Sequence, residues 1–443
     1  MCIRDRVDRA RTGTPGQSVT DPVPPGAPVA SWVPVPDESP FPIQNLPLGI
    51  GADDDGLRTW VAIGDHALDL AAVQRAALLH DLTLPAGCFS EGALNTFLSS
   101  GPEAWTATRR RLSDLLADDT YAPALEPMLT PLAELTMTVP VAVGDYVDFY
   151  SSLHHATNLG RLFRPDAEPL LPNWRHLPIG YHGRSGTLIP TNHTIPRPSG
   201  LRLVDGQPIH GPTEALDIEL EVGTVIGVGS RRGQPIPAAA AGAHLYGLCL
   251  VNDWSARDIQ AYEYQPLGPF LGKSFATSVA PWLVSFEALA PHRVEPPTQH
   301  PPPAPYLRTE EPWGFDLHLE VQLESAAMRE RGIPPVTVSR AGFADMYWTP
   351  AQQLAHLTTN GASVRPGDLF ASGTVSGPTS GSEGSFIELT WRGERPLDLP
   401  DGTRRSFLAD GDRVTLRGWA GGDGETRIGL GEVSGTIIEP TKG

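Results

Sequence analysis

Residues 216–222, near the middle of the chain, alternate strictly between apolar and acidic side chains. Successive side chains of a β-strand point to opposite faces, so the alternation predicts a strand with one apolar and one acidic face. The acidic face carries Asp217, Glu219 and Glu221, with neighbouring carboxylates roughly 6.5 to 7 Å apart at two strand rises. Three like charges on one sheet face repel each other unless water or a cation screens them.

Two interpretations of this strand are open on its own evidence. It is either a solvent-exposed outer strand or a platform for a divalent ion. A platform with only oxygen ligands favours Mg²⁺ or Ca²⁺. The alternation by itself favours neither interpretation over the other.

Two further segments place acids beside groups that could take part in catalysis. Residues 145–150 interleave Asp145 and Asp148 with aromatic residues, and His154 and His155 follow shortly after. Residues 252–260 place Asp253 just before the start of a predicted helix. Together these segments favour the interpretation of residues 216–222 as part of a metal site.

The helix after Asp253 is predicted to begin with Ser255 as its N-cap, because serine side chains satisfy free backbone N–H groups there. Arg257, Gln260 and Tyr264 would then lie on one helix face, at positions i, i+3 and i+7. A helix with a polar outer face would show the same spacing. The apolar residues that its opposite face would need are sparse, which weakens that alternative.

The elements that position these residues are expected to be short strands, because glycine and proline make up about a fifth of the chain. Residues 1–30 are polar and then proline-rich, and we expect little order there. The patterns predict strands at 216–228, 371–376 and 385–391, helices at 67–80 and 103–116, and an extended loop at 294–305. A further helix is predicted from Thr349, its N-cap, to a stop at Asn360 and Gly361. The basic residues 109–111 are interpreted as a solvated helix face.

Composition excludes several classes of protein. The chain has 443 residues, with 33 basic and 51 acidic side chains and a formal net charge of −18. Such a chain lacks the positive surface that general nucleic-acid binding requires, and no stretch reaches the roughly 18 to 20 apolar residues of a membrane span. Cys2, Cys88 and Cys249 are too scattered for a disulfide framework or a CxxC zinc site, which favours a cytoplasmic protein. The GxSxG, HExxH and phosphate-loop motifs are absent.

The order of motifs along the chain resembles the fumarylacetoacetate hydrolase family. The resemblance is carried by DYVDFYSSLHHATNLGRLF (145–163), LPIGYHGR (177–184), LDIELE (216–221), NDWSARDIQ (252–260), PLGPFLGKSF (266–275), RPGDLFASG (365–373) and LADGD (408–412). It extends from about residue 32 to the carboxyl end, and the amino-terminal motif FPIQNLP (41–47) indicates the long form of the family.

The resemblance implies a mostly β (α+β) fold in two domains. Residues 31–137 would form a small SH3-like β-barrel domain with helices. Residues 138–443 would form the catalytic domain, a mixed β-sandwich roll. The resemblance also implies a homodimer.

The resemblance implies a site for Mg²⁺ and/or Ca²⁺ formed by four carboxylates, those of Asp148, Glu219, Glu221 and Asp253. Weaker contacts would come from loop oxygens of Lys273 and Thr277. Asp217 is not a ligand in the family, so the acidic face would supply only two of its three acids.

The resemblance also assigns the reacting groups. His155 would be the general base that activates water, oriented by Glu388, which is expected on a strand over residues 386–390. Arg257, Gln260 and Lys273 would donate hydrogen bonds to the developing negative charge. The substrate would be lined by Tyr150, Arg164, Tyr181, Gln260, Tyr264 and Thr374.

The implied activity is metal-dependent hydrolysis of a carbon–carbon bond in 4-fumarylacetoacetate, a small dianionic diketone, giving fumarate and acetoacetate. This is the last step of tyrosine and phenylalanine breakdown. A related acylpyruvate or fumarylpyruvate hydrolase, or an oxaloacetate decarboxylase, would share the metal carboxylates and differ in the pocket. A non-catalytic metal-binding module would need the carboxylates but not His155, Glu388, Lys273 and Arg257 together.

Overall fold

The computed structural model of the protein describes residues 30–54, 56–422 and 424–441. The prediction of little order in residues 1–30 lies outside these ranges, apart from residue 30. Across the described ranges, no helix is both long enough and apolar enough to cross a membrane.

Short β-strands dominate the described residues, as the glycine and proline content predicts. The strands are β1 Leu48–Asp53, β2 Gly56–Ile63, β3 His66–Asp69, β4 Leu129–Pro131, β5 Thr136–Thr138, β6 Tyr146–Phe149, β7 Gly180–His182, β8 Leu188–Pro190, β9 His193–Pro196, β10 Ser199–Val204, β11 Gln207–Pro212, β12 Leu216–Asp217, β13 Leu220–Ile226, β14 Leu245–Asp253, β15 Ser255–Ala256, β16 Thr277–Val279, β17 Trp282–Ser285, β18 Arg293–Val294, β19 Gly314–Phe315, β20 Leu317–Glu324, β21 Val336–Gly342, β22 Leu369–Ala371, β23 Leu397–Asp398, β24 Arg404–Arg405, β25 Arg413–Ala420 and β26 Ile428–Ile438. The α-helices are α1 Leu70–Arg75, α2 Asn95–Leu98, α3 Pro102–Ala117, α4 Ala122–Leu125, α5 Leu153–Phe163, α6 Arg257–Glu263, α7 Ala326–Arg331, α8 Pro350–Thr358 and α9 Phe386–Leu389.

A 13-stranded mixed sheet runs through both halves of the chain, in the order β4-β3-β2-β1-β17-β14-β13-β22-β6-β7 with β5, β8 and β16 paired beside this path. The amino-terminal strand β1 pairs antiparallel with β17, Leu48 opposite Leu283. The mostly β fold is confirmed. The strand order is that of an open sheet, and the SH3-like barrel stays a prediction.

A second sheet, in the order β21-β20-β25-β26-β9, packs on the first. In β20 and β25, buried side chains alternate with more exposed ones, as expected for strands with one covered face. The buried apolar side chains of these two strands point into one core. Gly418 on β25 lies so close to Leu319 and Leu250 that a Cβ atom there would approach their methyl groups to within 2.9 Å. This core supports β13 and β14, the two strands that carry Glu221 and Asp253.

The strand predicted at 216–228 is broken into β12 and β13, and all seven residues from 216 to 222 are buried. The solvent-exposed outer strand is therefore the wrong interpretation. The reason is position in the sheet: β13 lies between β14 and β22, so neighbours cover it on both edges.

Two further local predictions are wrong. The strand predicted at 385–391 is helix α9, so Glu388 lies on a short helix. Asp217 accepts hydrogen bonds from the backbone N–H groups of Phe386 and Ile387 at the start of that helix. Ser255 is not the N-cap of α6. That position is occupied by Ala256, and the Ser255 hydroxyl donates to the carbonyl of Asp253.

The remaining elements agree with the sequence to different degrees. Helix α8 begins at Pro350 with Thr349 as its N-cap, as predicted, and the structure adds a capping box between Thr349 and Gln352. Helix α3 matches the range 103–116 closely, and residues 295–304 contain no helix or strand. The helix at 67–80 shortens to α1, because residues 66–69 pair with β2. The strand at 371–376 ends at Ala371.

The basic residues 109–111 are only partly a solvated face. Arg110 is exposed, as expected. Arg109 donates to the carbonyls of Gln44 and Asn45, and Arg111 donates to the carbonyl of Leu78. Backbone carbonyls in the adjoining loops therefore bind two of the three guanidinium groups.

Candidate active site

Four buried carboxylates come together near the start of β13. Asp148, Glu219, Glu221 and Asp253 each offer one oxygen, and these four oxygens lie within 4.8 Å of one another. Asp148 lies on β6, Glu221 on β13 and Asp253 at the end of β14, and Glu219 lies in the break between β12 and β13. The predicted ligand set is thus brought together by neighbouring strands of the central sheet.

Two of these carboxylates have cationic partners. Lys273 Nζ lies 2.5 Å from Glu219 Oε2 and 2.9 Å from Asp253 Oδ2. Arg257 donates to the other Glu219 oxygen at 2.7 Å. The hydroxyls of Thr277 and Tyr181 donate to Asp253 at 2.6 and 3.2 Å.

The other two carboxylates lack such partners. Within the described residues, Asp148 Oδ1 and both carboxylate oxygens of Glu221 are buried and accept no hydrogen bond. Burial raises the pKa of Glu221 and of Asp148 well above the usual range, and the neighbouring carboxylates raise each pKa further. For Glu219, burial acts in the same direction, but Lys273 and Arg257 hold its pKa below the usual value.

Buried carboxylate oxygens without donors are costly unless a cation neutralises them. Oxygen donors from three or four acids are the ligand chemistry of Mg²⁺ and Ca²⁺. These residues therefore fit a divalent cation, which supports the metal-site interpretation over a plain structural one. The ammonium group of Lys273 balances part of the same charge.

A histidine–carboxylate pair lies on the neighbouring helices. His155 Nδ1 lies 2.7 Å from Glu388 Oε2, with both side chains buried. Helix α5 places His155 in its first turn, where the N-cap Ser152 accepts a hydrogen bond from the His155 backbone N–H. The ring of Tyr150 meets the imidazole edge-on, with centroids 5.3 Å apart.

Glu388 is held by three further donors that the sequence analysis did not identify. Asn158 Nδ2 lies 3.0 Å from one oxygen, and the hydroxyls of Ser376 and Ser385 lie 3.0 and 2.7 Å from the other. Although burial acts to raise the pKa of Glu388, His155, Ser385 and Asn158 hold it below the usual value. Asn158 could have been found from its spacing, because it lies three residues after His155 on one helix face.

Helix α6 presents Arg257 and Gln260 to the same region. Arg257 Nε donates to Asp217 at 2.8 Å, and its Nη1 donates to Glu219 and, at 3.2 Å, to Gln260 Oε1. Within the described residues, the buried Nη2 of Arg257 has no partner. The guanidinium is therefore fixed on two sides and has one N–H group available to a ligand.

One cavity of about 540 Å³ joins most of the predicted site residues. It is lined by Asp148, Tyr150, His155, Arg164, Tyr181, Glu219, Arg257, Gln260, Tyr264, Lys273 and Thr374, together with apolar residues. Glu388 lies behind His155 and does not line the cavity. Asp253 and Thr277 line an adjoining cavity of about 300 Å³, which also contacts Tyr181 and Lys273.

Two more polar atoms of this cavity are unpaired. Within the described residues, Arg164 Nε and Thr374 Oγ1 are buried without a hydrogen-bond partner. Buried polar groups are almost always satisfied in folded proteins. Unpaired donors on the wall of one cavity are therefore typical of a binding site for a small polar molecule.

Comparisons with known proteins match most of the chain. Residues 44–140 match the family described as Fumarylacetoacetase N-terminal, and residues 146–438 match Fumarylacetoacetate (FAA) hydrolase C-terminal. The chain belongs to the fumarylacetoacetate hydrolase family. Because both segments match, the chain has the long form of the family, as the amino-terminal motif FPIQNLP indicates.

Curated members of the fumarylacetoacetate hydrolase family match at high identity. The chain is 44% identical to the fumarylacetoacetase of Homo sapiens over 419 residues, which cover 92% of this chain and 98% of the human protein. It is 43% identical to the fumarylacetoacetase of Arabidopsis thaliana over 424 residues, with the same coverage. The solved fumarylacetoacetate hydrolase of Exiguobacterium antarcticum aligns with a TM-score of 0.51 at 14% identity, covering 89% of this chain and 99% of that one. At that identity the solved structure supports the fold alone.

Proposed function

We propose that this chain hydrolyses a carbon–carbon bond of 4-fumarylacetoacetate to give fumarate and acetoacetate, the last step of tyrosine and phenylalanine breakdown. The observation that carries the proposal is a cavity lined by both His155, whose imidazole is paired with Glu388 behind it, and Asp148, a member of the cluster of four buried carboxylates. The curated relatives, named fumarylacetoacetase, match over 92% of the chain, which supports the same reaction.

His155 is the general base of the proposed mechanism. With Nδ1 donating to Glu388, Nε2 is the nitrogen that can take a proton from water. Glu388 stays ionised because its pKa is lowered by His155 and the donors around it. An ionised Glu388 fixes the imidazole orientation and stabilises the imidazolium that forms when water attacks the ketone carbon.

Arg257, Gln260 and Lys273 donate to the negative charge that develops on the attacked carbonyl oxygen. A preorganised donor of this kind is typically worth about 3 kcal/mol of transition-state stabilisation. Lys273 then gives a proton to the carbon that leaves as an enolate. Burial alone would lower the pKa of Lys273, but Asp253 and Glu219 raise it above its usual value, so the ammonium form is available.

The residues that would hold the cation are Asp148, Glu219, Glu221 and Asp253, with weaker contacts from loop oxygens of Lys273 and Thr277. A bound Mg²⁺ or Ca²⁺ would supply Lewis-acid polarisation of the diketone oxygens. Arg164, Tyr150, Tyr181, Tyr264 and Thr374 would line the substrate, and the unpaired Nε of Arg164 provides a donor for a carboxylate.

The test is an assay of the purified protein with Mg²⁺ or Ca²⁺ and 4-fumarylacetoacetate, followed by loss of the ultraviolet absorbance of the diketone. We expect turnover with one molecule each of fumarate and acetoacetate formed. No rate above background, with the metal shown to be bound, would overturn the proposal. A parallel panel of acylpyruvates, fumarylpyruvate and oxaloacetate must be turned over more slowly; a preferred acylpyruvate would assign the chain to that activity instead.

We further propose that the chain works as a homodimer in the cytoplasm. Large apolar side chains are exposed at Leu201, Leu203, Ile209, Leu267 and Phe270, which is typical of a surface that pairs with another. Cys88 and Cys249 are buried and free, as in proteins of a reducing compartment. The SH3-like assignment of 31–137 and the sandwich-roll assignment of 138–443 belong to the same proposal. Light scattering after gel filtration measures the assembly state.

A further inference from the structure

Asp217 is the third acid of the alternating segment, and the proposed mechanism gives it no role. It is fully buried beside the site and lies at the end of β12, two residues before Glu219. Its carboxylate accepts four hydrogen bonds. Oδ1 accepts from the N–H groups of Ile218 and Phe386, both at 2.7 Å, and Oδ2 accepts from Arg257 Nε at 2.8 Å and from Ile387 N–H at 3.0 Å.

These contacts join two parts of the site that are far apart in sequence. On one side Asp217 fixes the guanidinium of Arg257, so that Nη1 reaches Glu219 and the partnerless Nη2 remains available. On the other side it binds the first two N–H groups of α9, the helix that carries Glu388. A four-residue helix has few internal hydrogen bonds, so an external acceptor sets where it begins.

We propose that Asp217 is a positioning residue. Its single carboxylate fixes the position of the oxyanion donor Arg257 and also the position of Glu388, which orients the general base His155. It contacts neither substrate nor metal in this proposal, and acts only through those two groups. The inference rests on the proposed carbon–carbon hydrolysis, because it assigns Arg257 and His155 their roles in that reaction.

A carboxylate is the only short side chain that can accept all four of these hydrogen bonds. Asparagine has the same shape, but one of its two polar groups is an NH₂ that must face N–H donors. The D217N variant therefore keeps the packing and loses one of the two contacts to α9 in either orientation of the amide. It also loses the Arg257 contact when the NH₂ group takes the place of Oδ2. A displacement of about 1 Å at either group is large enough to slow the chemical step.

The experiment compares D217N with D412N in the same assay. Asp412 is the matched control: it is fully buried, binds Arg405 through two hydrogen bonds at 2.8 and 2.9 Å, and accepts from the Ala409 N–H. It has no part in the site. We expect D217N to lower kcat by about 10- to 100-fold, the usual range for outer-shell partners, with KM changed less than about threefold. D412N should lower the thermal unfolding midpoint and leave kcat within about twofold.

A second readout separates positioning from loss of stability. If Asp217 acts in part through Arg257, D217N must cost less in an R257Q background than in the wild-type chain, because residues that act as a unit are not additive. An equal cost in both backgrounds, or a D217N kcat no lower than that of D412N, would overturn the inference.

If D217N does not fold, D217E is tested instead. Glutamate keeps the negative charge, but its side chain is one methylene longer, so both carboxylate oxygens are displaced. A D217E protein with wild-type kcat would overturn the inference, and a kcat lowered at least about fivefold at unchanged KM would support it. The wild-type assay keeps the two proposals apart. No wild-type turnover contradicts the proposed function, whereas wild-type turnover with an unimpaired D217N contradicts only the role of Asp217.

Discussion

The imidazole Nδ1 of His155 lies 2.7 Å from Oε2 of Glu388, although 233 residues of chain separate the two. Neither helix that carries them is long: α5 has 11 residues and α9 has four. Their meeting depends on hydrogen bonds at both helix starts, where Ser152 accepts from a backbone N–H of α5 and Asp217 accepts from two backbone N–H groups of α9. The geometry of the His155–Glu388 pair therefore depends on the hydrogen bonds that cap these two short helices.

Replacing His155 with alanine tests the general base. We expect H155A to lose at least about 1000-fold in kcat, because the base and its carboxylate act as a unit. Metal binding measured by calorimetry should stay within about threefold, since His155 is not among the clustered carboxylates. His154 is the matched control on the preceding position, and H154A should retain turnover. Parallel loss of metal binding and activity in H155A would contradict its role as base.

Replacing Glu388 with glutamine tests the carboxylate behind the base. E388Q should lower kcat about 100-fold or more, because a neutral amide neither fixes the imidazole tautomer nor stabilises its charged form. The exposed Glu394 provides the control, and E394Q should be as active as the wild-type chain.

The difference in unfolding free energy between E388Q and the wild-type chain should depend on pH. The folded-state pKa of Glu388 lies below its usual value of 4.5, so its ionised form stabilises the fold above that pH. The stability is lost as pH falls through the lowered pKa. Urea unfolding should therefore show E388Q less stable than the wild-type chain by about 1 to 3 kcal/mol at about pH 7. The gap should narrow as the pH falls below 4.5; a gap that widens in acid would contradict the assignment.

Metal binding should stabilise the folded chain, because a cation relieves the repulsion between the unpartnered carboxylates. Saturation at about 100 times the dissociation constant corresponds to about 2.7 kcal/mol of added stability. Thermal unfolding with Mg²⁺, Ca²⁺ or EDTA measures the shift. E221Q should reduce the shift sharply, whereas E214Q, whose carboxylate side chain is 75% exposed, should leave it unchanged. An equal metal-induced shift in E221Q would place the ion elsewhere.

Helix α8 supplies a prediction about stability alone. Its capping box joins the Thr349 side chain to the Gln352 N–H and the Gln352 side chain to the Thr349 N–H. T349A should lower the free energy of unfolding by about 0.5 to 2 kcal/mol, and T349S, which keeps the hydroxyl, by much less. Neither variant should change kcat, because α8 contributes no residue to the lining of the 540 Å³ cavity. Loss of activity in T349A without loss of stability would show that α8 takes part in catalysis.

The carboxylates of the site could be predicted from sequence because alternation and motif order both mark them. Three acids at every second position, an acid among aromatics and an acid before a helix indicated the segments that form the site. The family resemblance then selected Asp148, Glu219, Glu221 and Asp253 and left out Asp217. What the alternation could not show was burial. An alternation with a period of two residues indicates that the two faces of the strand differ in polarity. Whether both faces are buried depends on which strands pair beside β13.

The surroundings of Glu388 could not be predicted for a related reason. Phe386 and Ile387 have strand-like side chains, so local preference favours a strand. Tertiary contacts decide otherwise, because Asp217 binds the N–H groups that a strand would have used for pairing. Likewise, nothing in the spacing of Ser376 or Asn158 relative to Glu388 shows that both donate to its carboxylate.

The pairing of β1 with β17 has a consequence for truncated forms of this chain. A chain beginning after residue 140 would leave β17 with an open edge, in which the backbone groups now paired with β1 around Trp282 and Leu283 have no partner. Such an edge is a template for a strand of another molecule and promotes aggregation. The segment before residue 140 therefore protects the protein from aggregation through this edge. This role is separate from the binding and catalytic roles of the residues that line the cavity.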